Sequence, residues 1–241
     1  MFAWIAIDIV LWGFISRYLN TVASPGFNFV PALLGAVLLW DFFTRVMQGV
    51  TMAFFEDIWA RNFLNIFGSP MSITEYVTGL VLSSIATSSI GLFAMLILAG
   101  AIFRLDLFFY GLAAFPFIAV LFLFGVALGI MASALVMRLG PSAEWFIWPI
   151  PALISPFAGV FYPLDVLPQW MQFVARCLPP AYVFENLRSL VKGGAVSPAE
   201  LLAGGILAIA YILLASFVFT QTYRTVVRTG LIARYSAESV S

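Results

Sequence analysis

Six polar or aromatic residues crowd into one short stretch between two long apolar runs: Glu56, Asp57, Trp59, Arg61, Asn62 and Asn65. With three charges and two asparagines, positions 56–66 are too polar to lie in lipid and too short to fold as a domain. Gly68-Ser69-Pro70 breaks the stretch, and Ser72 stands where it can cap a following helix. The pattern predicts a short helix over 56–66 and a turn, both presented to the aqueous phase. What these residue types offer is recognition: an aromatic ring fills a cleft on a partner while flanking charges fix its register. The rival reading is a solvated loop whose charges serve only topology. Against it stands the aromatic content of the stretch, Trp59 with Phe63 and Phe67.

Elsewhere the chemistry is sparse. There is no histidine and one cysteine, Cys177, so an internal disulfide is excluded and the usual ligands of a zinc or haem site are missing. No paired carboxylates or Ser-Lys arrangement stands at helical spacing, so no catalytic and no metal-binding residue is assigned, and an intramembrane enzyme is a remote alternative. Asp41 and Arg45 sit one helical turn apart inside an apolar run, where they can neutralise each other. Such a pair is costly to desolvate, and it reads equally as a structural ion pair and as a contact facing a cavity. Asp8 stands alone in the first run.

The elements that carry these residues follow from composition. Of the 241 residues 63% are hydrophobic and 9% charged, against about 25% charged in a soluble domain, which makes this an all-α integral membrane protein. The formal net charge is zero, which gives no support to nucleic-acid binding. Spans are expected at 2–19, 30–55, 76–103, 107–137, 145–161 and 201–223 of one domain, 1–241. The first is read as a retained span rather than a signal peptide, since it lacks a basic leader and contains Asp8. In the third, Ser83, Ser84, Thr87, Ser88 and Ser89 are read mainly as packing hydroxyls. The fourth contains Pro116, where a kink is expected, and Gly125, Gly129 and Ser133, whose spacing lines small residues along one face for close helix packing. The fifth is expected to be broken by Pro149, Pro151 and Pro156 and to face the interior. Between it and the sixth, Gln169–Leu178 and Ala181–Val191 are amphipathic and too short to span, so they should lie at the interface, with Tyr162, Trp170 and Tyr182 in an aromatic belt. Basic residues divide evenly between the two sides and do not orient the chain, although Arg224, Arg228 and Arg234 after the last span favour a tail inside.

Taken in order, Glu56-Asp57 with Trp59, Arg61-Asn62 and Asn65, Ser69-Pro70, Glu75, then Pro156, Gly159-Val160-Phe161-Tyr162-Pro163-Leu164, Leu167-Pro168, Trp170, and Leu178-Pro179 with Tyr182, Glu185 and Arg188 resemble the permease subunits of ABC-2 type exporters. The resemblance runs from about Trp12 to Arg224. It implies six membrane helices, cytoplasmic termini, a coupling helix at 56–66 that docks on an ATPase, and external re-entrant helices within 162–198. It further implies a multi-pass protein of the bacterial cytoplasmic (inner) membrane, working as two permease copies among membrane lipids. Such permeases usually begin with an amphipathic cytoplasmic helix, whereas here Phe2 already belongs to the span, so a late start or a missing segment is expected. The only lysine, Lys192, precedes Gly193-Gly194 rather than following a glycine-rich loop, so the chain encodes no phosphate cradle. ATP and Mg are therefore expected on a partner nucleotide-binding subunit, in two copies, with no cofactor in this chain. Asp41, Arg45, Pro149 and Pro156 are candidates for the substrate path, and Phe161, Tyr162 and Trp170 for an external gate. The expected cargo is amphipathic or lipid-like. A polysaccharide or lipid-linked glycan is the alternative, with a passive channel or a scaffold behind it.

Overall fold

Apolar runs of this length can satisfy their backbone polar groups in lipid only as helices, and every regular element among the described residues is helical. The computed structural model describes residues 2–22, 30–60, 70–105, 107–140 and 143–229. Helix α1 is Phe2–Val22. A π-helical turn, Val30–Leu34, leads into α2, Gly35–Trp59, followed by α3, Ile73–Phe103. A 3-10 stretch, Leu107–Ala113, precedes α4, Ala114–Leu139. The short helices α5, Glu144–Ile147, and α6, Ile150–Ala158, are followed by a 3-10 turn, Leu164–Val166. Helices α7, Gln169–Arg176, α8, Pro179–Val191, and α9, Pro198–Arg228, complete the described chain.

Among the described residues, four helices are long and apolar enough to cross a membrane: Val30–Trp59, Ile73–Phe103, Tyr110–Leu139 and Pro198–Arg228. The expected first and fifth spans correspond to α1 and to the broken pair α5–α6, which fall outside that group. The amphipathic stretches expected between the fifth and sixth spans are α7 and α8.

Helix α4 is the packed centre. It lies against both α2 and α9, while α2 also carries α3, and α1 rests on α3 and on the Val30–Leu34 turn. The α2–α4 contact is close because α4 offers no side chain there: a Cβ on Gly125 would fall 2.9 Å from Val46 Cβ, and one on Gly129 2.6 Å from Val50 Cβ. Above and below, Phe43 stacks on Phe124 at 5.5 Å and Phe54 meets Phe219 edge-on at 6.3 Å. All four rings are fully buried. By contrast α3 and α9 turn rows of large apolar side chains outward, among them Phe93, Ile97, Leu213 and Phe217, as a lipid-facing surface requires.

Two expectations need correction. The kink in the fourth run lies at Gly111, not at Pro116. Gly111 adopts φ 50, ψ −141, a region open only to glycine, whereas Pro116 falls in the first turn of α4, where its missing N–H has no helical partner to lose. Likewise the second span does not stop at residue 55: Glu56–Trp59 form the last turn of α2, since nothing before Ala60 interrupts the helical ladder. Arg61, Asn62 and Asn65 lie outside the described residues, as do Asp106 and Arg234.

Candidate functional site

The base of α2 shows which of the polar residues face outward. Glu56 is exposed, and Trp59 is 53% exposed with its ring stacked on Phe55 at 5.5 Å, an apolar surface fixed in orientation at a helix end. Asp57 points the other way. Its carboxylate accepts a 2.8 Å hydrogen bond from the Tyr76 hydroxyl, across the turn to α3. The start of α3 is itself firmly capped: Ser72 Oγ accepts from the Glu75 amide at 3.2 Å, and the Glu75 carboxylate accepts from the Ser72 amide at 2.8 Å. Farther along, Ser84 donates to the Val46 carbonyl at 2.8 Å, so one of the five serine and threonine hydroxyls between 83 and 89 binds α2 directly, while Ser88 and Thr87 bond back within α3.

Midway along α2, Arg45 Nε donates to Asp41 at 2.9 Å, and both side chains are largely shielded. The Arg45 charge also acts on Asp8 of α1, so the three charges form one electrostatic group shared by two helices. Gln48 extends the same face of α2 at the i, i+4, i+7 spacing and helps line a small crevice with Ile147 of α5 and Trp148 just after it. Opposite this stripe, Gly125 and Gly129 meet α2, and Ser133 is buried with its hydroxyl on the Gly129 carbonyl at 2.9 Å.

At the other end of α2, about 35 Å away by helix rise, the proline-rich segment turns back on itself. Pro149 stands in the turn between α5 and α6, and Pro156 lies inside α6, where it has no N–H to donate to the preceding turn. The Tyr162 hydroxyl caps the Pro156 carbonyl at 2.6 Å. Phe161 stacks on Trp12 of α1 at 4.8 Å, and Trp170 of α7 meets Phe157 of α6 edge-on at 6.2 Å. Gly159 permits the reversal with φ +63.

The reversed loop is held from α8. Arg188 donates Nη1 to Glu185 at 2.8 Å and Nη2 to the Tyr162 carbonyl at 2.8 Å and the Gly159 carbonyl, while Glu185 also accepts from the Leu164 amide at 2.8 Å. Burial lowers the Arg188 pKa, and the Glu185 carboxylate opposes that shift. One residue along, the buried Asn186 bridges to α9: its amide donates to Glu200 at 2.9 Å and its oxygen accepts from the Ser197 amide at 2.7 Å. Arg176, Glu185, Asn186 and Glu200 line a polar cleft of about 530 Å3 beside this network.

The structure thus separates the residues singled out by sequence into three places: the base of α2, its middle, and the reversed loop. Two participants were missed. Gln48 had a readable signal, its spacing from Asp41 and Arg45. Tyr76 had none, because its partner lies 19 residues away in another helix. Among the described residues no three or more carboxylate or thiol side chains gather as they would to hold a metal ion. Comparison with the curated proteins gives no significant match. The ABC-2 type transporter family, however, matches residues 1–191, most of the chain and all of α1 to α8; with membrane-crossing helices, a presented helix base and a tied reversed loop already in view, the protein belongs to that family as a multi-pass permease subunit of an ABC transporter.

Proposed function

We propose that this permease exports an amphipathic or lipid-like substrate, driven by ATP hydrolysis in a separate nucleotide-binding subunit. In this reading α1 and the α5–α6 pair complete six spans, both termini are cytoplasmic, and the base of α2 faces the cytoplasm of a bacterial cell at the inner membrane. Two permease copies and two ATPase copies form the working unit. The observation that carries the reading is the exposed Trp59 beside Glu56 at the end of a helix wedged against the central α4. An exposed, oriented indole is the kind of anchor a protein partner buries, and α2 offers a rigid route from it into the membrane.

Along that route the Asp41–Arg45 pair and Gln48 give α2 a polar stripe within apolar walls, which suits a cargo with a polar head and an apolar body. Phe161, Tyr162 and Trp170 line the reversed loop and act as the outer gate, with Pro149 and Pro156 shaping the path to it.

Co-purification tests the central claim. The chain should bring down an ATPase subunit, and Trp59→Ala or Arg61→Ala should reduce its recovery severalfold. A wild-type chain that retains no nucleotide-binding partner, or variants that retain it fully, would sink the coupling role. Stimulation of ATP hydrolysis by lipids, drugs or glycans in the reconstituted complex then identifies the cargo class.

A further inference from the structure

The adjoining ends of α2 and α3 are tied together. Tyr76 is only 6% exposed, its hydroxyl reaches the Asp57 carboxylate at 2.8 Å, and its ring meets Phe54 edge-on at 6.4 Å. A hydroxyl given to a carboxylate is charge-assisted and stronger than a neutral bond. Ala60 and Met71, just inside that bond along the chain, are both exposed. Two turns deeper, Ser84 bonds the Val46 carbonyl, and Gly49 brings α2 close under Ser84 and Thr87, where a Cβ would stand 3.0 Å from each hydroxyl. Helix α3 leans on α2 and α1 and hardly touches α4. A displacement of α3 therefore reaches α4 through α2 rather than directly.

A push arriving at the turn could tilt α2, tilt α3, or spread the two apart. Spreading would dissipate the push before it reached α4, which of these two helices only α2 touches closely, through Gly125 and Gly129. We propose that Asp57 and Tyr76 form a latch that makes α2 and α3 one lever, so that force entering between them is passed to α4. Asp57 is then a positioning residue within the coupling segment, while Glu56 and Trp59 face the partner. This deepens the reading of 56–66 as the coupling segment and rests on it.

Spin labels at Ala60 and Met71, in a Cys177→Ser background, report the separation of the two flanks. In the wild-type latch the distance distribution is narrow, in the free permease and in its complex with the ATPase, with and without ATP and vanadate. Tyr76→Phe keeps the buried ring but removes the hydroxyl, and loses the narrow component. Asp57→Ala does the same, whereas Asp57→Asn, which keeps an acceptor oxygen, retains it. A Tyr76→Phe distribution as narrow as wild type overturns the latch. Broadening of the wild-type distribution on nucleotide trapping overturns the single lever. Failure to co-purify an ATPase refutes the coupling reading instead, and the distributions of the free permease still decide the latch.

Discussion

The two ends of α2 lie in differently tied surroundings. Around its first turn, Arg188, Glu185 and Asn186 tie the reversed loop, α8 and α9 into a network in which charged groups meet backbone carbonyls and amides. At its last turn, the ties across to α3 are a hydroxyl on a carboxylate and, deeper, a serine on a carbonyl. Moving the loop beside the first end requires several charge-assisted bonds to break together, whereas the last turn has one such tie, from Tyr76 to Asp57; bonds of that kind are about twice as strong as neutral ones. The second end can tilt with its contacts intact. The difference teaches that motion is expected to enter where the ties are few and to be resisted where they converge.

Breaking the dense end should give the largest effect. Arg188→Ala leaves Glu185 without its cation and strips donors from the Gly159 and Tyr162 carbonyls. Removing one partner of a shielded ion pair costs on the order of 3 kcal/mol, and the 36% exposure of Glu185 keeps the loss from rising much beyond that. The expected result is a clear fall in the apparent melting temperature of the purified permease in detergent. Arg188→Lys recovers only part of it, because an ammonium cannot span both carbonyls and the carboxylate as the guanidinium does. Full recovery by lysine would mean that charge alone, and not the fork, holds the loop.

Between the two ends the lever depends on the bare face of α4. Gly129→Val puts methyl groups where a Cβ already stands 2.6 Å from Val50 and 2.8 Å from the Met47 carbonyl. Overpacking of this kind costs about 1–3 kcal/mol, and it should lower both thermal stability and the coupling of ATP hydrolysis to transport. Gly205→Ala in α9 is the control. Its Cβ would meet nothing nearer than Val120 at 3.9 Å, so replacing a helical glycine there should leave stability unchanged or slightly raised. Equal damage from both would show that helix packing in general, rather than the α2–α4 contact, is being read.

How much of this could be read from the sequence depends on whether a feature is local. The starts of α7 and α8 follow from Pro168 and Pro179-Pro180, which fix φ and lack N–H donors, although α8 begins at Pro179 itself rather than at the expected Ala181, because a helix tolerates proline in its first turn. The break between α5 and α6 follows from Pro149 and Pro151 in the same way. Pro116 misled because the consequence of a proline depends on its position in the helix, and that position is decided upstream by Gly111. The Arg188 clamp was invisible for another reason. Two of its acceptors are backbone carbonyls, which carry no residue identity, and they become acceptors only after the chain has reversed. Ser84 was one hydroxyl among five, and only the rotation of α3 against α2 selects it for the Val46 carbonyl.

That selection gives the smallest and sharpest test. Ser84→Ala removes one interhelical hydrogen bond in the membrane and leaves its Cβ in place, a change of about 0.6 kcal/mol by comparison with other helical membrane proteins. Tyr76 and Ser84 are two turns apart on α3, about 12 Å by helix rise, and they bond different atoms of α2. Independent ties at that distance add in their effects on stability within about 0.5 kcal/mol. If α2 and α3 form one lever, however, Tyr76→Phe loses the narrow component at Ala60 and Met71 while Ser84→Ala alone keeps it, and removing both should move the flanks apart by more than the two single changes together. Thermal melts of the two single variants and the Tyr76→Phe, Ser84→Ala double variant, read beside the same label distances, separate these quantities. Additive stability with a non-additive separation of the flanks supports a jointed pair with two pins; strictly additive behaviour in both would make the thinly tied end a set of unrelated contacts.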